Sequence, residues 1–105
     1  MNYTALESKS ATVGGSALAI SSTLFNFASS NLSRAQHALI MPTSAGLKIS
    51  WDGVAPTSAA ATGAVTGVPV TSGLTYELFG NVNINRLQMI ASPTTSAAVY
   101  VILEG

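Results

Sequence analysis

The chain has 105 residues, of which 48% are hydrophobic and only 8% are charged. An average soluble protein is about 25% charged, so this composition predicts a sparsely charged surface that favours self-association over a dispersed monomer. The formal net charge is zero and the four lysines and arginines are scattered along the chain, which excludes the broad basic surface that a nucleic-acid partner would require.

A chain of this length predicts one domain, residues 1–105, with a modest hydrophobic core. Cysteine does not occur, which excludes disulfide bonds, thiolate catalysis and cysteine-ligated metals. The first residues lack the positive region and the continuous apolar core of a signal peptide, and no apolar run is long enough to span a membrane. We therefore expect neither signal-directed export nor a membrane partner.

Short apolar runs alternate with clusters of Gly, Ser, Thr, Asn and Pro, which is typical of an all-β sandwich or barrel of about seven or eight short antiparallel strands. The first half of the chain predicts strands at 9–13, 17–21, 38–41 and 47–51. Residues 23–35 fit no strand pattern and predict a loop with a short helix. The strands at 38–41 and 47–51 are predicted to pair as a hairpin.

Residues 47–57, LKISWDGVAPT, form the most informative segment. Leu47, Ile49 and Trp51 alternate with polar residues, as expected for a strand with one buried face. Asp52 and Gly53 predict a turn, because glycine accepts a positive φ and aspartate bonds to the backbone of its own turn. We interpret Trp51 as a core residue and Asp52 as a turn residue.

In the second half, residues 56–67 contain almost no large side chain and predict an exposed loop. Strands at 68–70 and 74–79 follow, with Tyr76 and Phe79 as core or subunit contacts. Residues 82–90 predict one strand, or two strands joined by a bulge where the alternation slips. A turn at 92–95 leads to an apolar strand at 98–103 that contains Tyr100; this strand implies burial on both faces, in the core or against a neighbouring subunit.

Side chains suited to catalysis or metal binding form no recognisable set. His37 is the single histidine, so a zinc site would need carboxylates at spacings that the sequence does not suggest. Asp52 and Glu77 are too few for calcium, and each has a simpler interpretation than a glycosidase acid, as a turn residue and an exposed strand residue. Neither a nucleophile elbow nor a phosphate-binding loop occurs. We expect no enzymatic activity, no catalytic residues, no cofactor, no metal and no small-molecule substrate.

Residues 38–105 contain several strand and turn motifs in a defined order. An aliphatic strand at 38–41 is followed by a strand that ends in Trp51-Asp52-Gly53, with Pro56-Thr57 nearby. A later apolar strand ends in Gly80-Asn81, and strands at 82–90 and 98–104 follow. In these motifs the chain resembles a class of small virion proteins from tailed bacteriophages, whereas the alanine-rich stretch at 59–64 departs from it.

The resemblance implies a jelly-roll-like β-sandwich that is a structural component of a phage particle, assembled in the host cytoplasm. We prefer the role of a capsid decoration (cement) protein, because the domain is small and neutral and has no fibre-like extension. Such a protein would bind other copies of itself, with a homotrimer favoured, and the major capsid protein. A neck, tail or fibre protein is an alternative, as is a carbohydrate-binding module with an exposed Tyr or Trp on one sheet face.

Overall fold

The computed structural model describes residues 3–43, 46–57, 67–91 and 96–105. Within these ranges the chain forms eight strands and two short helices. In chain order they are β1 (Ala5–Val13), β2 (Leu18–Ala19), α1 (Ser29–Arg34), β3 (His37–Pro42), β4 (Leu47–Ser50), β5 (Val68–Val70), β6 (Tyr76–Phe79), α2 (Asn81–Asn85), β7 (Gln88–Ile90) and β8 (Ala97–Glu104). Neither described helix has the length and apolar character needed to cross a lipid bilayer.

The strands form two antiparallel sheets of four. The first sheet has the order β1-β8-β3-β6 and the second has the order β2-β7-β4-β5. Most neighbours within each sheet are distant in sequence, and this order is the one that two Greek keys produce in an eight-stranded jelly roll. The predicted all-β sandwich is confirmed.

The hydrophobic core lies between the two sheets, because alternate residues of each strand point inward. In β8 the inward residues are completely buried, whereas the outward ones are half-buried or exposed. The helices contribute Leu32 and Ile84 to the same core. The largest fully buried side chains are Val13, Ile20, Phe25, Ile40, Leu47, Ile84, Leu87, Met89, Val99, Val101 and Leu103, together with Pro42.

The predicted hairpin between residues 38–41 and 47–51 is wrong. β3 lies in the first sheet between β8 and β6, whereas β4 lies in the second sheet between β5 and β7. The chain therefore crosses from one sheet to the other between these strands. Two consecutive strands of a sandwich can cover the same core from opposite sides, so a short connection does not require direct pairing.

Residues 82–90 also differ from the prediction of strand structure throughout. The first part forms α2, and only Gln88–Ile90 form a strand. Ile84 is completely buried while Val82 is 61% exposed, because residues two apart do not share one face of a helix. Leu87, between α2 and β7, is also completely buried. The slip in alternation marks a change from helix to strand and not a bulge.

Part of the predicted exposed loop at 56–67, and all of the predicted turn at 92–95, lie outside the described residues. The two described ends of the loop meet closely. Gly67 has a φ of +104°, and a Cβ placed on it would lie 2.8 Å from Cβ of Pro56, which is buried. Glycine is therefore required at this position by both conformation and space.

Candidate interaction surface

The outer face of the first sheet points away from the core and carries apolar side chains. We call five of its residues the outer apolar patch: Leu39, Met41, Phe79, Tyr100 and Ile102. Phe79 and Tyr100 are each 51% exposed, and the other three are half-buried. In this sheet the core therefore accounts for only one of the two apolar faces.

Strand register brings the patch residues together in rows across the sheet. Met41 lies opposite Tyr100, and Leu39 lies opposite Ile102 on one side and Glu77 on the other. Small polar side chains of β1 border the patch, since Ser10 pairs with Tyr100 and Ser8 pairs with Ile102. Leu39, Met41, Tyr100 and Ile102 thus form a continuous apolar area across β8 and β3, with a polar strand on one side. Phe79 lies on β6, in the same row as His37.

His37 begins β3 at one end of this face and is only 5% exposed. Its Nδ1 lies 2.6 Å from Oε1 of Glu104, and its Nε2 lies 3.1 Å from Oε1 of Glu77. The imidazole ring also stacks with the rings of Tyr3 and Phe79, at centroid distances of 4.6 and 4.7 Å. We call these five residues the His37 cluster.

The contacts of the His37 cluster hold neighbouring strands of the first sheet together. Each ring nitrogen contacts a different carboxylate, so the two carboxylates lie at opposite edges of the ring and do not converge on one ligand position. Both nitrogens can donate a hydrogen bond only when the ring carries both of its protons. Among the described residues, no group of three or more His, Cys, Asp or Glu side chains is arranged to hold a metal ion.

The turn after β4 is held by its own polar groups. Asp52 is exposed, and its Oδ1 accepts a hydrogen bond from the N–H of Val54 at 3.0 Å. The hydroxyl of Ser50 donates to the carbonyl of Val54 at 2.7 Å. Gly53 has a φ of +87°, a conformation that side chains rarely adopt. Asp52 therefore acts on its own backbone in this structure.

Trp51 lies just beyond the end of β4, half-buried and packed against the core. It borders a cleft of about 220 Å³, which is lined by Ile49, Ser50, Trp51, Asp52, Gly67 and Val68. Pockets for drug-sized ligands have volumes of about 300–1,000 Å³. The cleft is therefore small, and the two polar side chains that line it bond to their own turn.

The aromatic residues singled out by the sequence lie in different places. Tyr76 is half-buried against the core, and its hydroxyl accepts a hydrogen bond from the N–H of Thr71 at 2.8 Å. Phe79 and Tyr100 lie on the outer face and do not belong to the core. The structure thus brings Phe79 and Tyr100 onto one surface and places Trp51 with the other sheet.

Sequence reasoning missed the His37 cluster. Its carboxylates lie 40 and 67 residues from the histidine in sequence, so no local motif joins them. The signal that could have found it is strand pairing: His37 lies opposite Glu104 on one side and opposite Phe79 on the other.

Comparison of the chain with models of known protein families, with curated proteins and with solved structures gives no match.

Proposed function

We propose that this chain is a non-enzymatic structural subunit that works by surface contact, and that it is a virion protein of a tailed phage, placed on the capsid as a decoration protein. The observation that carries the contact role is the outer apolar patch. The assignment to a phage particle rests on the resemblance of residues 38–105 to small virion proteins. In this role the subunit binds further copies of itself and the major capsid protein.

The size of the outer face favours a contact that is repeated many times. Four strands about 4.8 Å apart and about six residues long cover roughly 15 by 20 Å. The outer face therefore covers about 300 Å², of which the outer apolar patch is a part, so the patch does not exceed the largest apolar patch on a typical monomer. The whole face is also below the roughly 800 Å² that each partner buries in a standard stable interface. A contact of this size gains strength when many subunits bind one lattice at once.

The composition supports the same proposal. The outer apolar patch contains no charged residue, and the chain as a whole has a net charge of zero. Electrostatic repulsion between copies is therefore weak, and burial of apolar surface can drive association. Glu77 and Glu104 lie at one end of the face, where they can set the orientation of a partner.

The self-association part of this proposal is tested by the molar mass of the purified protein in light scattering. We expect an oligomer, with a trimer favoured by the resemblance. The double variant Phe79→Ser, Tyr100→Ser should shift the protein toward the monomer, because it removes the two most exposed apolar side chains of the patch. Leu24→Ser is the matched control, since Leu24 is 66% exposed and lies outside the patch. A wild-type protein that stays monomeric at high concentration would sink the self-association claim.

The virion part is tested by location and copy number in purified particles. Hundreds of copies on the shell, measured by quantitative mass spectrometry and immunolabelling, would support a decoration protein. A few copies at a single vertex would instead support a neck, tail or fibre part. Absence of the chain from particles, together with binding to a glycan array that Trp51→Ala abolishes, would favour the carbohydrate-binding alternative.

A further inference from the structure

The open edges of the two sheets differ greatly in length. The edge strands are β1 and β6 in the first sheet, and β2 and β5 in the second. β2, β5 and β6 have two, three and four residues, and β5 contains Pro69. Short edge strands and proline are two ways in which proteins prevent unwanted strand pairing. β1 has nine residues and no proline, so among the described strands it offers the longest open edge.

The hydrogen bonds of β8 show which backbone groups of β1 are open. Even-numbered residues of β8 bond toward β3, as the N–H groups of Gln36 and Thr43 donate to the carbonyls of Glu104 and Ala98. Odd-numbered residues bond toward β1, and Gly105 exchanges both hydrogen bonds with Thr4. In an antiparallel ladder these directions alternate.

It follows from this alternation and from the register that Glu7, Lys9, Ala11 and Val13 direct their backbone groups at β8. The residues between them, Ser8, Ser10 and Thr12, direct three N–H and three C=O groups at the open edge. In the described part of the chain these six groups have no backbone partner outside the β1–β8 ladder. Their own side chains are small and exposed.

The start of β1 is closed to a partner strand. A bulge lies between Ala5 and Glu7, and the carboxylate of Glu7 is bound by the N–H of Ala28 and the amide of Asn31, both at 2.9 Å. Lys9 carries the one charge further along the strand, and its Nζ lies 3.6 Å from Oε2 of Glu7. The open part of the edge is therefore 8–12, and its single cation is already paired.

We propose that β1 pairs antiparallel with β1 of a second copy of this chain, about a two-fold axis that passes through Ser10. This register places Ser8 opposite Thr12 of the second copy, and Ser10 opposite Ser10 of the second copy. All six open backbone groups of each copy then find partners, in six hydrogen bonds across the axis. A register centred on Lys9 places two lysines opposite each other, and one centred on Ser8 requires the bulged residues near Ala5.

The pairing would join two outer faces into one. Because Ser10 lies beside Tyr100 in register, the two outer apolar patches would lie on the same side of a continuous eight-stranded sheet. The use of this contact rests on the proposed function: two-fold links between subunits that also meet through another surface build a closed net over a shell. The pairing itself does not depend on that function.

The test uses disulfide formation, and the natural absence of cysteine makes each engineered thiol unique. Ser10→Cys puts the two thiols of the pair on residues whose Cα atoms lie about 5.5 Å apart, within the range of about 4.4–6.8 Å that a disulfide spans. Under mild oxidation we expect a covalent dimer as the main species. Thr12→Cys is the matched control, because its thiols would lie roughly 13 Å apart along the strands and should give little dimer. Equal cross-linking of both variants, or no dimer with Ser10→Cys, would overturn the register.

A second variant tests the contact without a cross-link. Ser10→Pro removes an N–H group that the fold does not use, so the variant should keep the wild-type circular dichroism spectrum while its molar mass in solution falls. The mass falls to half if every β1 edge of the wild-type particle is paired. Ala11→Pro removes an N–H that bonds to β8 and should unfold the sheet instead. An unchanged molar mass for folded Ser10→Pro refutes strand pairing and leaves the proposed function standing. If only the double variant Phe79→Ser, Tyr100→Ser loses association, the result supports a contact through the outer apolar patch and not through the β1 edge.

Discussion

Trp51 lies one residue beyond β4 and packs against the core without being enclosed by it. Truncation of a fully buried tryptophan costs about 3–5 kcal/mol, and partial burial reduces the cost because less apolar area is lost. We expect Trp51→Ala to lower the free energy of unfolding by about 2 kcal/mol, measured by urea denaturation.

Val54→Ala is the control for this substitution, because Val54 belongs to the same turn and is 52% exposed. Its effect on the free energy of unfolding should stay within about 0.5 kcal/mol, as for surface substitutions in general. Equal stabilities of Trp51→Ala and the wild type would show that the ring does not contribute to the core, and would direct attention to the cleft beside it.

His37 stabilises one end of the first sheet through its contacts with Glu77 and Glu104. His37→Ala should lower the free energy of unfolding by about 1–3 kcal/mol, because it leaves the partly buried carboxylate of Glu104 without its partner. Glu77→Gln should cost less than about 1 kcal/mol, since the Glu77 side chain is 56% exposed and exposed ion pairs contribute little. Thermal melts of the two variants compare them directly, and a larger loss in Glu77→Gln would contradict this ranking.

Residue roles could be predicted where the cause is local. The turn at Asp52 and Gly53 follows from the chemistry of two adjacent residues, and the structure shows the hydrogen bond that such a turn uses. His37 and Phe79 could not be placed, because their surroundings depend on strand register. Alternation shows that two faces exist and does not show which partner strand lies beside each.

At the scale of elements, α2 shows why the sequence predicts strand for residues 82–90 where the structure has a helix. Isolated helices of five residues are not stable in water, and nothing in local propensity requires one here. The amide of Asn81 holds the helix in place: its Nδ2 lies 2.9, 3.1 and 2.8 Å from the carbonyl oxygens of Leu32, Ser33 and Ala35. These oxygens are the free acceptors at the end of α1, so each helix depends on the other.

Glu7 fastens β1 to the start of α1 and predicts how stability depends on pH. Hydrogen bonds from the side chain of Asn31 and the backbone of Ala28 hold the pKa of the Glu7 carboxyl below its ordinary value. A pKa that is lower in the folded state than in the unfolded state contributes stability above the unfolded value, about 4.3, and this contribution disappears as the pH falls through the folded value.

We therefore expect the urea midpoint to fall in acid, and to fall less steeply in Glu7→Gln. The glutamine keeps a side-chain oxygen that can accept both hydrogen bonds, but its amide does not titrate. The midpoint of the variant should be lower than that of the wild type near neutral pH, and the two curves should converge below the folded pKa of Glu7. Parallel curves over the whole acid range would show that this carboxyl does not link folding to pH.

At the scale of the whole molecule, the spacing of short apolar runs is enough to predict the class of fold. The strand order is not predictable in the same way, because every strand with one apolar face can cover the core from either sheet. The hairpin expected for β3 and β4 failed for this reason. The outward residues of β8 were expected to be buried by the core or by another subunit, and the core does not bury them.

Association of the whole molecule should respond little to salt. Interactions between exposed charges weaken as salt rises to 1 M, whereas apolar burial does not depend on ionic attraction. We expect sedimentation velocity to show the same or stronger association at 1 M than at 0.1 M sodium chloride. Dissociation at high salt would mean that Glu77, Glu104 or the scattered cations drive the contact instead of the outer apolar patch.

The position of β8 between β1 and β3 also bears on how the chain folds. β8 is synthesised after every other described strand, yet β1 and β3 each pair with it. Until β8 leaves the ribosome, the first sheet lacks its second strand, and β1 has no strand with which to pair. Such non-local pairing is typical of domains that fold in milliseconds to seconds. A cell that makes many copies at once therefore contains, during this time, many chains whose strands are still unpaired. Pairing of β8 within a chain then competes with aggregation between chains.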